Sequence, residues 1–195
     1  MTRVILASGS RSRRAILEGA GVSCEVIRPR VDEEDLKSGL RHLDPSALAL
    51  ALARAKSLSL DEPGALVIGA DQVMEFAGRT HDKPSSRAEL RDRLARMAGR
   101  PHHLRGGVVI SRNGDVVAEI TASSTLTMRE LSQDAIDSYL GAIDDTVALG
   151  TVGGYALEGT GARLFSGVDG DFFAILGLPL FPVLDVLRRE GAIPW

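Results

Sequence analysis

Apolar and polar positions along this chain follow two periods, and the points where one gives way to the other outline its elements. Residues 3–7 form a short apolar run that predicts a strand. The run breaks at Ser8-Gly9-Ser10, and a helical pattern follows over 12–18, closed by Gly19 and Gly21. A second short strand is expected over 23–28, stopped by Pro29. Asp44-Pro45-Ser46 has the chemistry of a helix start, with Asp44 as cap and Pro45 at the first helical position, and the helix runs to about Leu60. Ala65 to Gln72 is a continuous apolar run bounded by Pro63-Gly64, which predicts a fully buried strand ending in the Asp71 carboxylate.

The second half reads in the same way. A helix is expected over 86–97, closed by Gly99. Two β-type runs, 101–111 and 115–125, meet at Asn113-Gly114, a strong hairpin signal. Ser132 caps a helix over 132–140, and the last helix is expected over 181–189. With no repeat, low-complexity segment or linker, the reading is a single α/β domain over residues 1–195 with a cleft.

Composition narrows the function classes. At 195 residues and 44% hydrophobic content, the chain can bury a sizeable core. A net charge of −3 argues against a general nucleic-acid coat, so any polyanion site must be local. The lone Cys24, expected as a buried thiol on a strand, excludes an intrachain disulfide framework and a Cys-rich zinc site. His102 and His103 fall on opposite faces of a strand and make no convincing metal pair. The first apolar run is too short for a signal peptide and no run has the length of a membrane span, so a soluble cytoplasmic protein is expected.

Candidate chemistry is spread along the chain. Arg11, Arg13 and Arg14 fall in the first turn of the first predicted helix, the positive end of its dipole. They are either a solvated basic face behind an ordinary Ser10 cap or a grip for phosphate, which backbone N–H groups and guanidinium forks both suit. The acidic run 31–35 reads as a solvated loop or as carboxylates offered to a divalent cation. Lys56, near a helix end, is accounted for by the dipole alone. Asp71 either closes a strand in a turn or stands where open α/β sheets bind ligands. The glycine-rich stretch 150–161 lacks the P-loop lysine and the dinucleotide pattern, though its glycines imply tight turns or close backbone approach. Together these features suit a phosphate-handling enzyme.

The same residues carry a family resemblance. Leu6-Ala7-Ser8-Gly9-Ser10 with Arg13-Arg14, Asp32-Glu33, Ala53 to Lys56, Gly69 to Val73, Lys83-Pro84, Gly99-Arg100, Gly153 to Tyr155 and Gly177 to Leu180 resemble, in order, the motifs of the Maf family of nucleoside-triphosphate pyrophosphatases. The resemblance implies a two-lobed α/β fold, with a central mixed β-sheet flanked by helices and a cleft between lobes, often dimeric. It implies hydrolysis of a nucleoside triphosphate to monophosphate and pyrophosphate with a divalent metal (Mg, Mn or Co), and a link to septum formation. It makes Asp71 the catalytic carboxylate and a metal ligand, with Glu33 a second carboxylate near the metal. Ser8, Arg13, Arg14, Lys56 and Lys83 become substrate contacts. Ser12, Gln72 and Glu158 match the selectivity positions. Ser10-Arg11-Ser12-Arg13 departs from the family's Ser-Pro-Arg-Arg, and Gln72 with Glu158-Gly159 resembles the 7-methyl-GTP branch more than the dTTP/UTP branch. The alternatives are a dTTP/UTP pyrophosphatase, a generic phosphohydrolase releasing orthophosphate, and a nucleotide-binding regulator of septum formation with little turnover.

Overall fold

A computed structural model describes residues 2–40 and 42–195. The fold is α/β, with a mixed sheet and flanking helices. Two compact units divide the chain: Met1–Gln72, Arg105–Ala122 and Asp171–Trp195 form the first, and Val73–Leu104 with Ser123–Gly170 form the second.

In the first unit β1 (Val4–Ala7) pairs in parallel with β2 (Glu25–Ile27) and with β3 (Leu66–Phe76), where Val4 faces Leu66 and Ala7 faces Gly69. β1 is buried on both faces, as a parallel strand covered from both sides must be. Val4 and Leu6 join a core with Ile16 and Leu17 of α1 (Arg11–Gly19), and with Val183, Val186 and Leu187 of α8 (Leu180–Arg189). Ile5 and Ala7 point the other way, against Leu60, Ala65 and Val67. Helix α3 (Pro45–Leu58) starts as its sequence predicts, with Asp44 Oδ1 accepting from the Ser46 and Ala47 amides.

The second unit holds β4 (Arg79–His81), antiparallel to the end of β3 around Ala77 and Gly78, both at positive φ. Here too lie α4 (Arg87–Met97), α5 (Gln133–Gly141), α6 (Asp145–Ala148) and a 3₁₀ turn over Thr160–Leu164. β7 (Phe165–Asp169) lies antiparallel to the end of β6 (Asp115–Met128). β6 follows β5 (Pro101–Arg112) through Asn113 and Gly114, both at positive φ as the hairpin signal demands.

Several expectations change. The acidic run does not stay a loop: Glu33–Gly39 is helix α2, because Asp32 Oδ1 caps the Glu34 and Asp35 amides and three carboxylates in the first turn suit the dipole. The strand expected to end at Asp71 runs on to Phe76, since pairing with β4 carries it past the carboxylate. β7 and the short helix α6 have no counterpart in the sequence pattern, and the apolar run that starts at Phe172 is a short helix, α7 (Phe172–Ile175). Cys24 lies half-buried just before β2 rather than buried within it. Among the described residues, no helix is long and apolar enough to cross a membrane.

Candidate active site

Asp71 stands in the middle of β3, yet it borders a strand end: that of its neighbour. β1 stops at Ala7, opposite Gly69, and turns away through Ser8 to Ser10. Two residues further along β3, Asp71 therefore has no β1 residue beside it. A carboxylate needs such a place if it is to stay within reach of a ligand while nine-tenths of its side chain is buried.

Lys56 fills the space against it. Its Nζ lies 2.6 Å from Asp71 Oδ1 and 2.9 Å from Glu33 Oε1, with only 6% of the lysine side chain exposed. The dipole alone would leave this lysine in solvent; packing instead turns it inward. Gly69 makes that approach possible. A Cβ there would stand 2.5 Å from the Ser57 amide nitrogen and closer still to the Ala53 carbonyl oxygen, so the backbones of α3 and β3 touch where only glycine fits. Ser57 locks the contact: its Oγ donates to the Val67 carbonyl at 2.9 Å and shares a hydrogen bond with Ser111 Oγ at 2.7 Å. Sequence reasoning missed Ser57 and this use of Gly69. The available signal was a glycine interrupting an otherwise bulky buried strand.

Arg13 lies beneath the Ser8 turn. Its Nε donates to the Gly177 carbonyl at 2.9 Å, and Nη1 donates to Ser8 Oγ at 3.2 Å and to the Ala70 carbonyl at 2.8 Å. Three of the five guanidinium donors are thus spent inside the protein, one of them on the residue before Asp71. Burial lowers the Arg13 pKa, while the charges of Asp71 and Glu33 oppose that shift. Arg14 is elsewhere: it pairs with Glu18 one turn on, at 2.7 Å and largely exposed, so the structure does not join it to the Lys56 cluster.

Ser12 and Gln72 converge on one turn. Ser12 Oγ donates to the Leu176 carbonyl at 3.0 Å, and Gln72 Nε2 donates to the carbonyls of Ala174 at 2.9 Å and Ile175 at 3.2 Å. Their donors reach the last carbonyls of α7 and of the turn after it, of which that of Ala174 also accepts from the Gly177 amide at 3.0 Å. Lys83 and Glu158 belong to the second unit, and both are exposed. His102 and His103 are paired internally: His102 Nε2 lies 2.6 Å from Tyr155 Oη, and His103 Nδ1 lies 3.0 Å from Thr125 Oγ1. Among the described residues, no three of His, Cys, Asp and Glu gather into a metal cage.

A first-unit site therefore holds two carboxylates on one buried ammonium, beside a buried guanidinium that braces a serine turn. Comparison of the whole sequence with protein-family models matches the Maf-like protein family over residues 3–190. The chain belongs to the Maf family. Its relatives match it end to end. A nucleoside triphosphate pyrophosphatase of Maricaulis maris is 45% identical over 195 residues, 99% of each chain. One of Nitrobacter hamburgensis is 44% identical over 192 residues, 97% of this chain and 95% of the relative. A third, named 7-methyl-GTP pyrophosphatase, from Rhizobium meliloti, is 41% identical over 194 residues, 97% of each. The family match runs across both units, so Lys83 and Glu158 lie within it as well as the Lys56 cluster.

Proposed function

We propose that this Maf-family chain is a hydrolase that cleaves the α–β anhydride of a nucleoside triphosphate, giving the nucleoside monophosphate and pyrophosphate. The observation that carries this reading is the buried Lys56 ammonium held between Asp71 and Glu33. Hydrolysis of an anhydride so rich in negative charge needs cations against the phosphates and a base for the attacking water. Lys56 engages Asp71 Oδ1, which fixes the carboxylate and leaves Oδ2 to accept from a water. As the water oxygen bonds to the α-phosphorus, Asp71 takes its proton. The bridging oxygen leaves with pyrophosphate, carrying the electron pair of the broken P–O bond.

The cofactor of this reading is a divalent cation, Mg²⁺, Mn²⁺ or Co²⁺. The donor set fits one: Asp71 and Glu33 already stabilise a positive charge between them, and two carboxylates completed by phosphate oxygens are a usual magnesium complement. Such an ion, when bound, neutralises charge on the phosphates. Ser8 and the Nη2 side of Arg13 are the phosphate contacts of the first unit, and Lys83 supplies a further cation. Arg14 joins them by leaving Glu18, which costs little because the pair is exposed and screened by solvent.

For the base, the reading favours a 7-methylated guanine. Glu158 is an exposed carboxylate able to accept from the guanine N1–H and exocyclic amine. It also balances the positive charge that methylation places on the ring, which a glutamine would do less well.

The test is a panel of 7-methyl-GTP, GTP, dTTP, UTP and CTP assayed for pyrophosphate and orthophosphate, with and without a chelator. Pyrophosphate release that needs a divalent ion, is fastest with 7-methyl-GTP and falls about 10²–10⁴-fold in Asp71→Asn is expected. Orthophosphate as first product, or an unimpaired Asp71→Asn enzyme, overturns the reaction. Equal rates across the panel overturn the base preference alone.

A further inference from the structure

We propose that Arg93 is a positioning residue for this reaction, holding the backbone of the Lys83 loop and of the glycine-rich segment in one arrangement. The proposal rests on the substrate role given to Lys83 above and adds to it a residue none of the family motifs contains.

Arg93 occupies a position its helix should give to an apolar residue. Leu90, Arg93, Leu94 and Met97 follow the i, i+3, i+4, i+7 spacing of the buried stripe of α4, and all four are buried. Burying a guanidinium is costly unless its donors find partners, and here Nη1 and Nη2 find them while the buried Nε has none among the described residues. Here the partners come from three segments. Nη1 donates to the Asp82 carbonyl at 2.6 Å and to the Val152 carbonyl at 2.9 Å, and Nη2 lies 2.6 Å from Glu89 Oε1. One nitrogen thus ties the loop before α4 to the glycine-rich segment.

Glu89 completes the brace. Its Oε2 accepts from the Ser85 amide at 2.8 Å and from the Ser85 hydroxyl at 2.7 Å. Those bonds, the backbone one first, together with the pair to Arg93 bring the Glu89 carboxyl down to about 2. Asp82 is therefore held by Arg93 and Ser85 by Glu89, on either side of Lys83 and the buried Pro84. The lysine's backbone is fixed at both flanks while its side chain remains exposed. Across Nη1, Val152 opens Gly153-Gly154-Tyr155. Gly154 itself lies against α4, where a Cβ would stand 2.7 Å from Leu90 Cδ2. A fork that bridges two carbonyls and a carboxylate is a task for arginine; lysine keeps the charge but cannot span all three.

A double-mutant cycle separates positioning from general support. Arg93→Lys and Glu89→Gln are each made in the native chain and in Lys83→Met, and pyrophosphate release is measured with Tm recorded for every variant. The expected result is a 10–100-fold loss of kcat/KM in Arg93→Lys, carried mainly by KM. Glu89→Gln is expected to behave likewise but more weakly. In the Lys83→Met background, either change should cost less than about threefold, because the group being positioned has gone. Equal losses in both backgrounds overturn the positioning role and leave the reading of Lys83 intact. A Lys83→Met enzyme with native kcat/KM overturns both. If Arg93→Lys unfolds, Glu89→Gln, which leaves the helix stripe untouched, decides the question by the same criterion.

Discussion

Replacing Gly69 by alanine would set a methyl group inside the contact between β3 and α3. Its carbon would stand 2.5 Å from the Ser57 nitrogen and 2.9 Å from Ser57 Cβ, with the Ala53 carbonyl nearer still. Non-bonded heavy atoms rest about 3.5–4 Å apart, so α3 must withdraw by about 1 Å. The neighbours that would have to yield are mostly backbone, which leaves no side chain to swing away. A retreat of that size would stretch the 2.6 Å Lys56–Asp71 contact to roughly 3.6 Å, beyond hydrogen-bond range. Overpacking of this kind costs about 1–3 kcal/mol, a fall in Tm of about 2–12 °C for a chain of this size. Misplacing a reacting group by 1 Å can cost about 10²-fold in rate. Gly107 provides the internal control. A Cβ there would stand 2.6 Å from Ala49 C and Leu50 N, on the same helix about two turns before Lys56. Gly107→Ala should therefore lower Tm comparably while costing less than tenfold in kcat/KM. The assay pairs thermal unfolding with pyrophosphate release for both variants. Equal activity losses, or a Gly69→Ala enzyme that loses stability but keeps full activity, would refute the argument that this glycine sets the Lys56–Asp71 geometry.

Lys56→Met strips the compensating charge from a buried carboxylate and should destabilise the protein by about 3–5 kcal/mol at neutral pH in denaturant titration, in addition to abolishing turnover. The double variant Lys56→Met, Asp71→Asn should recover part of that stability without activity; no recovery would contradict the pairing. His102 predicts an acid-side loss. Burial, assisted by the charge of His103, lowers it from 6.5 to about 4, so between those values the unfolded chain binds a proton that the folded chain refuses. Its contribution is fully present above pH 6.5 and is lost as pH falls towards 4, about 3 kcal/mol in all. Unfolding free energies of the native chain and His102→Gln should diverge over that window, and parallel curves would remove His102 as the cause.

Much of the fold was legible because its determinants are local. Strand β1, helices α1, α3, α4, α5 and α8 and the Asn113-Gly114 hairpin lie within a few residues of where periodicity and capping chemistry put them. The acidic run misled because solvated charge and a capped helix start look alike until Asp32 is seen accepting two amides. Of the candidate site, Asp71, Lys56 and Glu33 are each singled out by the sequence and meet in space, yet the local readings of Asp71 and Lys56 do not account for that meeting. Asp71 does not end its own strand, and Lys56 does not point to solvent. Arg13 was expected as a phosphate grip; most of its donors serve the Ser8 turn and the backbone before Asp71.

What the chain determined by itself are properties carried by neighbouring residues: which segments are amphipathic, where helices can start, where glycine permits a turn, and which ionisable types are at hand. Tertiary structure decided the pairings. Lys56 and Asp71 are fifteen residues apart, and nothing in their spacing brings them together. They meet because α3 packs onto β3 at a glycine, where backbones can touch, and because β1 stops two residues short and leaves the carboxylate a neighbourless edge. Arg93 is the same lesson in the second unit. On its helix it is a charge in an apolar stripe, and the carbonyls of two loops together with the Glu89 carboxylate give it a reason to be there.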